Sequence, residues 1–168
     1  MKNYLHLLFI LLMLTKVKAQ PATDSITIKK SSVKTLTDEE YTALLNGKDL
    51  YHMSLAAELN HYPSPQKALQ YKKELDLSPQ QLTKLNAVVK ELRRKTLEMG
   101  LIIIRNERTL DSIFKYNKLD NGSLIFYANR YGLYQGELRN VILQSYLVTK
   151  NLLTPQQLRK IESLEKRN

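Results

Sequence analysis

An all-α fold, drawn out as an elongated antiparallel helical hairpin with short flanking helices, is what three features of this sequence predict. A heptad seam runs for more than four heptads from Leu82 to Ile113, and a second apolar and aromatic run follows the polar turn Asp120-Asn121-Gly122-Ser123. No stretch alternates with the two-residue period of a strand.

The elements follow in chain order. Residues 1–19 carry Lys2, an apolar run from Leu5 to Leu14 and a closing Val17-Lys18-Ala19, which together predict a secretory signal peptide cut before Gln20. About ten apolar residues are too few to span a bilayer comfortably, so no integral membrane span is expected after cleavage. Residues 20–36 are rich in Ser, Thr and Lys without an apolar period and read as a flexible leader, leaving 37–168 as a single helical domain. Thr37-Asp38-Glu39-Glu40 is a capping box that opens a helix stopped by Gly47. A second short helix is expected over 48–60, burying Leu50, Met53, Leu55 and Leu59. After His61-Tyr62-Pro63, Ser64 caps a helix with Pro65 at its first position, ending near Leu75.

The long helices are bracketed by a phrase that occurs twice, Leu77-Ser78-Pro79-Gln80-Gln81-Leu82 and Leu153-Thr154-Pro155-Gln156-Gln157-Leu158. Each copy is a complete helix start. Ser78 or Thr154 supplies the cap oxygen, Pro79 or Pro155 sits where a missing N–H costs nothing, and Gln81 or Gln157 closes a capping box. From the first copy a helix over 79–118, about 60 Å long, keeps Leu82, Leu85, Val89, Leu92, Thr96, Met99, Ile103, Asn106, Leu110 and Ile113 on one seam. Thr96, Gly100 and Asn106 interrupt its apolar character, so a bend or a register-fixing polar layer is expected there. The returning helix, 124–152, lines up Tyr127, Tyr131, Tyr134, Leu138, Val141, Ser145 and Val148. Gly132 and Gly136 lie one turn apart in it, for which close approach of a partner helix is the simplest reason. The second copy opens a last helix, 155–166, with Leu158, Ile161 and Leu164 inward.

Composition narrows the function. The chain has no cysteine, which excludes a disulfide framework and a thiolate metal site. Its formal charge of +10 falls to +7 when cleavage removes Lys2, Lys16 and Lys18. A basic surface favours acidic partners, and export makes nucleic acid an unsuitable one. No phosphate loop, activated nucleophile or functional acid pair is evident, so no catalytic residue, no cofactor and no enzymatic activity are expected. His52 and His61 are too far apart in helical phase to share a metal, and no metal site is expected. The best candidates for a client or partner surface are Arg93, Arg94, Lys95 and Arg105 with the stripe Tyr127, Tyr131 and Tyr134. Their ordinary alternatives are a solvated helix flank for the cations and a core or dimer seam for the tyrosines.

Leu77-Ser78-x-x-Gln81 and Leu153-Thr154-x-x-Gln157 resemble the paired LTxxQ motifs of the Spy/CpxP family of periplasmic proteins, which includes a heavy-metal sensor branch. The resemblance covers Leu77 to the C-terminus. It implies a curved hairpin that dimerises into a cradle and either binds unfolded proteins without ATP or modulates an envelope-stress sensor. The expectation is thus a periplasmic homodimeric chaperone-like or stress-modulating protein. The alternatives are a metal or sigma-factor/kinase sensor acting through a membrane-bound partner, and a structural coiled-coil adaptor. Two departures stand out: Ser78 replaces the motif's Thr, and Ile142 and Tyr146 fall where the sensor branch often has histidines, so metal sensing through them is not expected.

Overall fold

A computed structural model describes residues 27–166. Among these the chain is all-α, with α1 (Asp38–Asn46), α2 (Leu55–Glu58), α3 (Pro65–Gln70), α4 (Pro79–Lys115), α5 (Asn121–Leu152) and α6 (Pro155–Glu165). The signal peptide expected over residues 1–19 and the expected leader as far as residue 26 lie outside the described residues.

Helices α4 and α5 form the expected hairpin. The 37 residues of α4 span about 55 Å. Every seam residue from Leu82 to Ile113 is buried or half-buried, with Leu85 and Ile103 fully so. Two cross-helix bonds fix the register. Gln81 Nε2 donates to the Leu152 carbonyl at 2.9 Å, and Asn106 Nδ2 donates to the Tyr127 carbonyl at 3.0 Å. Between them the chain advances 25 residues along α4 and retreats 25 along α5, so the antiparallel pairing does not slip. Asn106 is therefore the polar layer the sequence predicts, because a buried amide with one matching carbonyl tolerates no other register.

The short elements buttress one portion of this hairpin. Helix α1 starts at the predicted capping box, in which Glu40 N donates to Thr37 Oγ1 and Thr37 N to Glu40 Oε2. It ends at Gly47 with φ 63°, and it crosses α4 where Gly100 leaves room for the Leu44 carbonyl. Val33, Leu36, Leu44, Ala57, Ile103, Ile104, Leu138, Ile142 and Tyr146 make the larger core there. A second core, Ala68, Leu75, Leu77, Leu85, Leu153 and Ile161, closes the end where the two repeated phrases meet.

The structure corrects several boundaries. Order does not wait for Thr37. Val33 and Leu36 are buried, Lys29 N donates to Thr42 Oγ1 at 2.8 Å, and Ser31 N to Asp38 Oδ1 at 2.7 Å. Two apolar anchors three residues apart suffice to dock an otherwise polar segment. The helix expected over 48–60 shrinks to the single turn α2, and Leu50, Leu55 and Leu59 are exposed while Ala57 is buried. The Asp49 carboxylate accepts from the backbone N–H groups of Met53 and Ser54, a local bonding pattern that competes with helix, and His52 turns the chain at φ 50°. Helix α3 stops at Gln70 and reaches buried Leu75 through turns that end at Asp76, φ 49°. Helix α4 ends at Lys115, not residue 118, and the turn residue Asp120 is the N-cap of α5, accepting from Ser123 N at 2.8 Å. A Cβ placed on Gly132 or Gly136 would meet nothing within 4 Å, so no helix among the described residues uses their small size.

Candidate functional site

Two places in the fold gather the residues singled out in the sequence. The first is the junction of the repeated phrases. Both capping boxes form as predicted, with Gln81 N donating to Ser78 Oγ at 3.2 Å and Gln157 N to Thr154 Oγ1 at 3.2 Å. The glutamine oxygens accept in return from Ser78 N at 3.0 Å and Thr154 N at 2.9 Å. The capping pattern alone left the amide nitrogens unassigned, and the structure turns them toward each other. Gln81 Nε2 donates to Gln157 Oε1 at 2.8 Å and to the Leu152 carbonyl; Gln157 Nε2 donates to Gln81 Oε1 at 3.2 Å and to the Leu75 carbonyl at 3.1 Å. Each amide has two donors, and both are used. Leu77 and Leu153, the hydrophobic members of the phrases, are buried beneath this reciprocal clamp. With its amide hydrogens committed to partners inside the fold, the junction holds α3–α4 against α5–α6.

The second place is the flank of the hairpin beyond that junction, and here the candidates separate. Arg94 is committed along its own helix, at 2.7 Å from Glu91 and 2.9 Å from Glu98, while Lys95 lies 3.9 Å from Glu98. That bonding from Arg94 holds the Glu91 carboxyl below its usual range. Arg93 is exposed beside the α1–α2 turn. Tyr131 turns inward against the larger core, its hydroxyl accepting from Gln135 Nε2 at 3.2 Å. Arg105, Tyr127 and Tyr134 come together in a groove of about 490 Å³ between α4 and α5. Phe126 and Arg130, which the sequence reading did not single out, also line that groove. Phe126, Arg130 and Tyr134 are spaced i, i+4, i+8 on α5, and that spacing is the signal that would have found them. Phe126 also meets Tyr127 edge-on at 5.1 Å between ring centres.

Ile142 and Tyr146 serve packing. Ile142 is in the core, and Tyr146 donates its phenolic hydrogen to Glu58 Oε1 at 2.8 Å. Burial first, and that bond second, push the Tyr146 phenol up to about 12. A folded-state value above the ordinary 10 means that the stabilisation is fully present below pH 10 and fades as the pH rises through 12. Tyr146→Phe is expected to cost about 1 kcal/mol at neutral pH and to flatten the loss of stability between those limits, as read by urea titrations at a series of alkaline pH values. His52 and His61 occupy left-handed turn positions on either side of α2, and among the described residues no group of three His, Cys, Asp or Glu converges as a metal cage would require. Among the same residues no helix is long and apolar enough to cross a membrane.

Fold and surfaces together define a helical hairpin protein, clamped at its base by a glutamine pair and carrying an apolar, basic outer end. No protein-family model matches the chain, and neither a curated protein nor a solved structure does.

Proposed function

We propose that this is an exported, periplasmic, Spy/CpxP-like protein that holds non-native polypeptides without ATP, as a chaperone or envelope-stress modulator, and acts as a homodimer rather than as an enzyme. The observation that supports this most directly is the outer end of the hairpin. Neither core extends to it, and Phe114, Tyr116, Leu124, Ile125 and Phe126 are all exposed there. Leu124, Ile125 and Phe126 are consecutive, so at about 100° per residue they spread over some 200° of the helix circumference. A rigid partner covers one side of such a tip, whereas a flexible non-native chain wraps it. Arg108, Lys115, Lys118 and Arg130 outnumber Asp111 and Asp120 in the same region, which adds long-range attraction for acidic segments. Contacts of this kind are individually weak and release without an energy source.

The test is dilution of a denatured client under aggregating conditions, followed by light scattering. Stoichiometric amounts of the chain from Gln20 onward are expected to suppress aggregation, and Ile125→Ser with Phe126→Ser to abolish most of the effect at unchanged melting temperature. Aggregation that proceeds at the same rate with and without the wild-type protein rules the reading out. Light scattering on a sizing column reads the dimer separately.

A further inference from the structure

The groove between α4 and α5 holds two cations, Arg105 and Arg130, beside aromatic rings and not beside acids. The Arg130 guanidinium lies over the Phe126 ring at 4.8 Å and over the Tyr134 ring at 5.3 Å, and it donates to the Tyr134 hydroxyl. Two aromatic faces and a phenol therefore hold it in place, not an acid. Arg105 faces the same groove from α4, where Thr109 Oγ1 donates to the Arg105 backbone carbonyl at 3.0 Å. Neither guanidinium has a carboxylate within ion-pair distance among the described residues, whereas Arg94 has two. Glu107 and Asp111, the acids nearest on α4, do not line the groove. Two like charges across a concave, partly apolar wall raise the local potential, and a bound carboxylate relieves it. Guanidinium favours that ligand in particular, because its planar fork matches both carboxylate oxygens. Ile102 and Phe126 supply an apolar wall beside the cations.

From this arrangement we infer that the groove is a carboxylate subsite for an extended acidic polypeptide segment, with Arg105 and Arg130 gripping an Asp or Glu side chain while an apolar neighbour rests on Ile102 and Phe126. The inference rests on the proposed binding of non-native chains and names the segments that are held first. A concave groove of about 490 Å³ suits a side chain projecting from a peptide better than the flat face of a bilayer.

The experiment uses the chain from Gln20 onward and fluorescence anisotropy of two short labelled peptides, one with Glu-Phe pairs spaced by Ser and Gly, the other with Gln in place of each Glu. The Glu peptide is expected to bind at least about tenfold more tightly at low salt, a difference within reach of charge-assisted bonds. Arg105→Gln and Arg130→Gln, singly and together, are expected to erase that preference without lowering the melting temperature, since neither side chain lies in a core. Equal binding of the two peptides, or a preference that survives in the double variant, overturns the inference. So does arginine-dependent binding to vesicles of anionic phospholipid without binding to the Glu peptide. Client suppression that persists while the peptide preference is absent removes only the carboxylate subsite; loss of suppression by the wild-type chain removes the functional reading itself.

Discussion

Gly100→Ala is expected to destabilise the protein by about 3 kcal/mol, the upper part of the range for forcing an extra methyl into a packed interior. A Cβ at this position would lie 2.2 Å from the Leu44 carbonyl oxygen, 2.9 Å from its carbon and 3.2 Å from the Leu44 Cα. All three are backbone atoms, so no rotamer change relieves the clash, and α1 has to lift away from α4. Lifting it uncovers Val33, Leu36 and Leu44 together, since they share one cluster with Ile103 and Ile104. Alanine's better helix propensity returns only about 1 kcal/mol. Gly132→Ala and Gly136→Ala make the contrast, because their Cβ atoms meet nothing within 4 Å; each is expected to stabilise α5 by about 0.5–1 kcal/mol. Urea denaturation followed by circular dichroism measures all three. A stabilised Gly100→Ala variant would mean that α1 does not rest on α4.

That glycine also shows where the sequence was legible and where it was not. Read along the chain, Gly100 weakens the middle of a long helix; only the crossing of α1, more than 50 residues earlier in sequence, explains it. Local physics carried the rest of the hairpin well. Capping boxes at Thr37, Ser78 and Thr154 involve atoms within three residues of one another, and a heptad seam repeats often enough to outweigh its polar interruptions. Short segments failed for the same reason in reverse. Over 48–60 the apolar residues suggested a buried face, yet a single Asp49 carboxylate redirected the backbone and left three leucines exposed. Val33 and Leu36 were hidden by the polar composition around them, because docking two side chains leaves no period to detect.

The outer groove was half legible. Arg105, Tyr127 and Tyr134 were singled out as a basic residue and two members of an aromatic stripe, without any sign that α4 and α5 would bring them face to face. Tyr131, in the middle of the stripe, packs against the larger core, and so does Tyr134, which core and groove share; steps of four and three put all three tyrosines on one face of α5. Spacing along one helix identifies a face; which neighbour that face meets depends on the register, and here the register is set by Asn106 and Gln81.

Gln157→Ala is expected to cost about 2–3 kcal/mol, more than a lost helix cap alone. The cap part, the acceptor for Thr154 N, is worth about 1 kcal/mol. The remainder comes from the partners left behind, the carbonyl of buried Leu75 and the half-buried Gln81 amide, which lose their donor or acceptor. Gln81→Ala strips the matching set, Ser78 N, the Leu152 carbonyl and Gln157. If the two boxes were independent caps, each substitution would cost about 1 kcal/mol and the double variant the sum of both. A reciprocal clamp behaves differently, because the second substitution removes a partner the first has already orphaned. The double variant should therefore fall short of additivity by about 1 kcal/mol, measured as a coupling free energy from four urea titrations. Gln157→Glu separates the two roles within one side chain. Its carboxylate still accepts from Thr154 N and from Gln81 Nε2 but has no hydrogen for the Leu75 carbonyl or Gln81 Oε1, so at neutral pH it should keep the cap and lose its own half of the clamp. Lowering the pH protonates that carboxylate and returns one donor, so the variant should recover part of its deficit relative to wild type as the solution is acidified. Such a recovery belongs to a clamp and is not expected of a cap.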